Sequence, residues 1–175
     1  MIEKGWAAAA CRGDEDAFYQ LISIHKRKLF GIAYSYLRNE ADALEVVQET
    51  VCRAWSKCTQ LKDPDSFMPW LIRILINCSI DEQKRRRRIT PEVSMDTTTG
   101  TAEMISVVRM DLEMALEQMK PKYRHVLMLK YYQDMTLTDI AKVLDRPEGT
   151  IKTWLHQGLK QIRKQMDWGG ERYYG

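Results

Sequence analysis

Apolar residues recur along most of this chain at intervals of three and four, the spacing that places them on one face of an α-helix. The first run holds Phe18, Leu21, Ile22, Leu29, Ile32, Ala33, Tyr36 and Leu37. His25 falls on the same stripe, where it reads as a packed boundary residue rather than a ligand. The stretch RNEAD (38–42) supplies a turn, and a second helix follows with Ala43, Val46, Val47, Val51 and Ala54 on one side and Trp55 beside them. KCTQLKDPDS (57–66) is a loop by composition and contains an Asp-Pro step. Pro69 suits the first turn of a third helix, because a first-turn N–H needs no intrahelical partner. That helix carries Trp70, Leu71, Ile74, Leu75, Cys78 and Ile80, then runs out into Lys84, Arg85, Arg86, Arg87 and Arg88.

The character then changes. From Ile89 to Glu103 there is no Lys or Arg, and the centre is rich in Thr. A long structureless loop inside one domain is improbable, so this stretch reads as a flexible linker between two domains. Helical spacing resumes with Val108, Leu112, Ala115, Leu116 and Met119 and stops at Pro121; a further helix holds Val126, Leu127 and Tyr131. Thr136-Leu137-Thr138-Asp139 has the form of a capping box, opening a short helix with Ile140, Ala141 and Leu144 inward. DRPEG (145–149) then turns the chain into a last helix. The expected fold is all-α: two small helical domains joined by a flexible linker, with no strand signals and no repeats.

Composition bounds the rest. The chain has 175 residues, 45% of them hydrophobic and 29% charged, so packed cores can form. A net charge of +3 is too small to argue for nucleic acid by itself; the distribution of charge decides. Cys11, Cys52, Cys58 and Cys78 include no C-x-x-C pair and no metal-ligand spacing, which suggests reduced, mostly buried thiols of a cytosolic protein. The early GWAAAAC is too short for a signal peptide, and Arg73 breaks WLIRILI, so a soluble, cytoplasmic chain is expected.

The last helix has the least ordinary charge pattern. Ile151, Leu155, Leu159 and Ile162 share one face, with Gly158 beside them. The opposite side gathers Lys152, Thr153, His156, Gln157, Lys160, Arg163 and Lys164, with no acid between Gly149 and Gln165. A capped short helix, a tight turn and a longer helix form the plan of a helix-turn-helix, whose second helix enters the DNA major groove. Lys can meet phosphate or guanine, Gln can pair with adenine, and Thr can touch a thymine methyl. Gly149 and Thr150, at the helix start, allow close backbone approach. A basic face alone also fits a solvated surface; the capped helix before it is what favours DNA.

ALEQMKPKYRHVLMLKYYQDMTLTDIAKVLDRPEGTIKTWLHQGLKQIRKQ (115–165) resembles the carboxy-terminal domain of bacterial extracytoplasmic-function (ECF, group IV) RNA polymerase sigma factors. DALEVVQETVCRAW (42–55) is similar to their polymerase-binding helix, and FMPWLIRILINCSIDEQKRRRR (67–88) to their promoter-melting helix. The resemblance implies region 2 over 1–88, a linker over 89–106 and region 4 over 107–168. It reads Asp42, Glu45, Gln48 and Glu49, otherwise a solvated acidic stripe, as docking on core RNA polymerase. It reads Asn77 and the cations Lys84, Arg85, Arg86, Arg87 and Arg88 as contacts to the melted minus-10 strand, with Asp81 at a matching polar position. Five consecutive cations repel one another unless an anion lies close, which agrees. The loop from Ser56 to Phe67 is expected to cup a flipped base. Thr150, Lys152, Thr153, His156, Gln157, Lys160, Arg163 and Lys164 are the implied minus-35 contacts. The chain departs from the family at Leu44, Thr153-Trp154 and Gln157-Gly158, where a charged residue, a small residue then Arg, and Arg-Ala are common. Trp154, at the border of the apolar face, reads as packing rather than stacking on DNA. Implied partners are core RNA polymerase, promoter DNA and an anti-sigma factor, with no small-molecule substrate.

Two other classes fit the sequence less well. A stand-alone helix-turn-helix regulator needs a dimer interface, for which no spare apolar face is visible, and leaves the first domain without a role. An enzyme has no support: there is no P-loop, H-E-x-x-H or G-x-S-x-G, and His25, His125 and His156 fall in three different helices. No catalytic residue, metal or cofactor is expected, and DWGGERYYG (167–175) suggests no role.

Overall fold

The computed structural model describes residues 1–89 and 112–170. These divide into two compact units, one of 1–89 with 141–145, the other of 112–140 with 146–170. Every element among the described residues is helical or a turn.

The first unit holds four α-helices: α1 (Ile2–Cys11), α2 (Glu15–Leu37), α3 (Glu40–Lys57) and α4 (Phe67–Ile89). The sequence reading passed over α1, whose run of four alanines gives little apolar signal although Ala is the strongest helix former. Ala7 and Ala10 are buried, their small side chains letting the helix lie close to α2. Asp14 caps α2, its carboxylate accepting the Ala17 N–H at 2.9 Å, and Glu15 and Asp16 complement the positive helix start. Arg38 ends α2 in the left-handed region (φ 53°), its N–H donating to the Tyr34 carbonyl. Asn39 then caps α3 by accepting the Asp42 N–H at 3.0 Å. The turn anticipated over 38–42 therefore shrinks to two residues, and Asp42 belongs to the first turn of α3.

Phe67 is the hub of this core, with ring centroids 6.1 Å from Phe18 and 5.7 Å from Trp70, while Phe18 lies 5.1 Å from Trp55. On α4 the inner positions are Leu71, Ile72, Leu75, Ile76 and Cys78. Ile72 and Ile76 thus replace Trp70, Ile74 and Ile80, which are only half-buried. The reason is that α4 packs on α2 and α3 together, so it buries two adjacent columns instead of one. Thr50 and Ser79, also buried, donate their hydroxyls to the carbonyls of Val46 and Leu75 one turn back. The expected loop contains two short 3₁₀ turns, Cys58–Gln60 and Pro64–Ser66, the second capped by Asp63. Only Cys58 and Cys78 are buried; Cys11 is half-buried and Cys52 exposed, so the thiols are less hidden than expected. Burial, with Cys11 hydrogen-bonded alongside, pushes the Cys58 thiol up to about 12, which keeps it protonated and unreactive at neutral pH.

In the second unit, residues 112–118 form α5, Pro121 opens α6 (Pro121–Leu127), and a π-helical turn over Met128–Tyr132 follows. Along the chain α7 (Leu137–Leu144), whose residues from Ala141 on group with the first unit, and α8 (Glu148–Gly170) follow. Leu116, Met119 and Leu127 form a core against Leu112, Tyr123, Leu155, Leu159 and Ile162. The π turn widens the helix and shifts its register, so Met128 and Leu129 are buried while Tyr131, expected in the apolar set, is exposed. Along α7 the buried residues are Ile140 and Val143; Ala141 and Leu144 are only partly covered. Val108, the C-terminal residues 171–175 and all of the anticipated linker except Ile89 lie outside the described residues; Ile89 itself closes α4.

Candidate functional site

The outward face of α3 presents Glu45, Gln48 and Glu49, all exposed, and Cys52 continues the same stripe. Leu44 is exposed beside them. Glu49 accepts a 2.6 Å hydrogen bond from Arg53 Nε, which holds the guanidinium charged, and the far side of Arg53 reaches Asp81 on α4 at 3.9 Å. Asp42 is different. Its side chain is only 14% exposed and pairs with the guanidinium of Arg86. Two residues that the sequence placed on separate surfaces are partners.

On α4, Asn77, Asp81, Lys84, Arg85 and Arg88 lie along one exposed stripe. The run of five cations is therefore divided. Arg85 clamps Glu82 through two hydrogen bonds, of 2.6 and 2.8 Å, and Arg86 turns to Asp42. Lys84, Arg87 and Arg88 are exposed, and no ion pair to another described residue is formed by them.

The helix-turn-helix is built by short-range polar contacts. The Thr136 Oγ1 accepts the Asp139 N–H at 3.1 Å and its hydroxyl donates to the Asp139 carboxylate at 2.7 Å, closing the box expected at the start of α7. Asp145 ends α7 with φ 54°, a conformation Asp tolerates better than most residues. The Pro147 carbonyl then accepts the N–H groups of Thr150 and Ile151, starting α8. Lys152, Thr153, His156, Lys160, Arg163 and Lys164 are exposed; Thr150 and Gln157 are partly so. The Thr153 hydroxyl donates to the Gly149 carbonyl at 3.0 Å, leaving its methyl and lone pairs outward. Trp154 is half-buried with Lys122 Nζ 5.4 Å from its ring centre, in line with the packing reading.

Glu148 is a residue that sequence reasoning missed. Its carboxylate accepts from the Thr138 hydroxyl at 3.0 Å and pairs with Lys152 at 3.3 Å, and these bonds hold it below the usual carboxylate range. It joins α7 to α8 and orients the first cation of the α8 face. The only signal in the sequence is its place four residues before Lys152, a favourable helix pairing.

His125 supplies a pH test. Burial, and then the charge of Arg124, lower its pKa from 6.5 to about 4. The folded state binds this proton less tightly than the unfolded chain, so the contribution is complete above 6.5 and is lost as pH falls towards 4. Between pH 7 and pH 5 the second unit is expected to lose about 2 kcal/mol of stability from this residue. Urea unfolding at the two pH values checks it; a His125→Gln chain should show a correspondingly flatter profile.

Among the described residues, no group of three or more His, Cys, Asp or Glu side chains gathers to hold a metal, and no helix is long and apolar enough to cross a membrane.

Known proteins share both halves of this arrangement. Residues 21–89 match the Sigma-70 region 2 family, and residues 109–162 match Sigma-70, region 4. RNA polymerase sigma factor SigV of Bacillus subtilis (strain 168) is 30% identical over 148 residues, spanning 83% of this chain and 88% of that protein. ECF RNA polymerase sigma factor SigW of the same organism is 29% identical over 174 residues, spanning 89% and 91%. The solved structure of CnrH in complex with the cytosolic domain of CnrY has the same fold, with a TM-score of 0.71, 24% identity and coverage of 95% of this chain and 98% of that one. The chain belongs to the ECF RNA polymerase sigma factors. Its function is to direct transcription initiation.

Proposed function

We propose that this group IV sigma factor divides its work by residue as follows. Region 2 occupies 1–88 and region 4 occupies 107–168, with a linker over 89–106 that threads between them inside the polymerase. Glu45, Gln48 and Glu49 dock on a basic surface of core RNA polymerase, and acids on that face steer and orient the encounter. Asn77, with Lys84, Arg85, Arg87 and Arg88, holds the melted minus-10 strand: an amide can both donate to and accept from a base, and the cations take phosphates. Thr150, Lys152, Thr153, His156, Gln157, Lys160, Arg163 and Lys164 read the minus-35 element as duplex. The factor acts in the cytoplasm, and an anti-sigma protein covers its polymerase and DNA faces; the RpoE sigma factor of Bartonella quintana is found with such a partner, NepR.

One observation carries the reading. The outward side of α8 is basic and amide-rich with no acid from Gly149 to Gln165, while its inward side completes a core. Like-charged side chains gathered on one face are destabilising unless an anion shares them. A stand-alone regulator would explain that face but gives no role to residues 21–89.

Run-off transcription from a pooled promoter library, using the full chain with bacterial core polymerase, tests the whole. New transcripts sharing an upstream motif are expected, and they should vanish when Lys160 and Arg163 are both replaced by alanine. Transcripts with no common upstream motif, or no saturable binding to core at micromolar concentration, would overturn the proposal.

A further inference from the structure

We infer that Asp42, Gln83 and Arg86 touch neither polymerase nor DNA but form a clamp that positions the basic end of α4. The inference rests on the reading above, in which α3 docks on polymerase and α4 holds the melted strand.

Buried residues on α4 stop at Ser79, yet the helix continues to Ile89. Ten residues past the last buried position make a lever about 15 Å long at 1.5 Å per residue. Its outer part carries like charges three and four apart, Lys84 with Arg87 and Arg88, and Arg85 with Arg88, which repel and favour fraying. Apolar packing does not hold this segment in place.

Polar ties to one corner of the fold do so. Gln83 Nε2 donates to the Tyr36 carbonyl at 2.5 Å, and Arg86 pairs with Asp42. Tyr36 and Asp42 flank the two-residue corner between α2 and α3, while Gln83 and Arg86 lie three apart on one face of α4. Asp42 is nearly covered although it stands in the first turn of a surface helix, and Glu82, 12% exposed, lies 3.7 Å from Arg86 on its other side. Arg86 thus lies beside two carboxylates, one on α3 and one on its own helix. The ion pair and the Gln83 hydrogen bond tie α4 to the α2–α3 corner at two points three residues apart, which limits rotation of α4 about its axis. With Arg86 turned inward, Lys84, Arg85 and Arg88 come onto the stripe that begins at Asn77. The corner beneath the clamp also starts the helix bearing Glu45 and Glu49, so the docking face and the strand-holding face share one fixed joint.

The test is a double-mutant cycle in the full chain with core polymerase, on a promoter selected by run-off. Asp42→Asn keeps side-chain shape and removes one charge; Arg86→Gln removes the opposite charge with a shorter amide side chain. Each should slow promoter opening, read by permanganate reactivity, about tenfold, and the two together should also slow it about tenfold because they break one interaction. Affinity for core should stay within about twofold throughout, and Arg86→Lys, which keeps the ion pair, should open promoters within about threefold of wild type. Single losses that multiply to about a hundredfold, a loss of core affinity in Asp42→Asn, or undiminished opening in both single variants would each overturn the inference. Failure of the underlying reading has a separate signature: opening would then be insensitive to the joint change Lys84→Ala and Arg88→Ala, whatever the cycle gives.

Discussion

Replacing Glu45 and Glu49 together with lysine is expected to weaken binding to core RNA polymerase about 100-fold, with no change in the fold. The two carboxylates are one turn apart on the exposed side of α3 and contribute nothing to the core. Glu49 pairs with Arg53 at the surface, a contact worth only about 0.3–0.5 kcal/mol. The effect on binding is larger because reversal removes two attractions and creates two repulsions. At about 1.4 kcal/mol for each reversed position the sum is about 2.8 kcal/mol, or two decades in the dissociation constant. Because these charges stand exposed on the surface of α3, raising the salt should shrink the difference between wild type and variant. Equilibrium titration of labelled protein with core at low and high salt checks both statements. A variant that melts like wild type and binds within threefold of it would mean that α3 docks through other residues.

Gly158 gives the second large effect, on stability. A β-carbon added there would lie 3.0 Å from Leu127 Cδ1, 3.2 Å from Leu127 Cγ and 3.5 Å from Tyr123 Cβ. The absent side chain is therefore what lets α8 press against α6 at the centre of the second core. Two tendencies compete in Gly158→Ala. Helix propensity gains about 1 kcal/mol, and displacing Leu127 by a few tenths of an ångström costs about as much. The net change should be small, which suits the alanine common at this position in the resemblance drawn from the sequence. Gly158→Leu has no such balance, since the added atoms must enter space already filled by Leu127 and Tyr123. It should lose about 3 kcal/mol and, with it, the orientation of the α8 basic face. Urea unfolding of the three chains is the measurement. A leucine variant as stable as wild type would show that α6 and α8 can separate without penalty.

What the sequence disclosed and what it hid follow from the range of the interactions involved. The stripes of α2, α3 and α8 were legible because 3.6-residue periodicity is a local property, and so was the Thr136–Asp139 box, which closes within four residues. The exposed basic face of α8 was legible for the same reason. Ile72 and Ile76 were not, because a second buried column exists only once α4 has two neighbours. The π turn was hidden because its sequence, MLKYY, would serve equally well in an α-helix. Asp42 and Arg86 were assigned to different surfaces because 44 positions separate them, and no periodicity reports a pair at that distance. The role of Glu148 was hidden because its partner Thr138 lies on the preceding helix, ten positions away.

The helix that periodicity passed over also separates two notions of where this protein's first unit begins. Family likeness starts at residue 21, inside α2, whereas the packed structure starts at Ile2. Ala10 has no exposed surface, Glu3 reaches His25, and Lys4 reaches Asp65 within the second 3₁₀ turn. The stretch by which the chain is recognised is thus shorter than the stretch by which it folds. A fragment cut to the recognisable boundary would discard the cap and first turn of α2 and the whole layer of small side chains laid over it. What such a fragment did or failed to do would describe an open core, not the sigma factor.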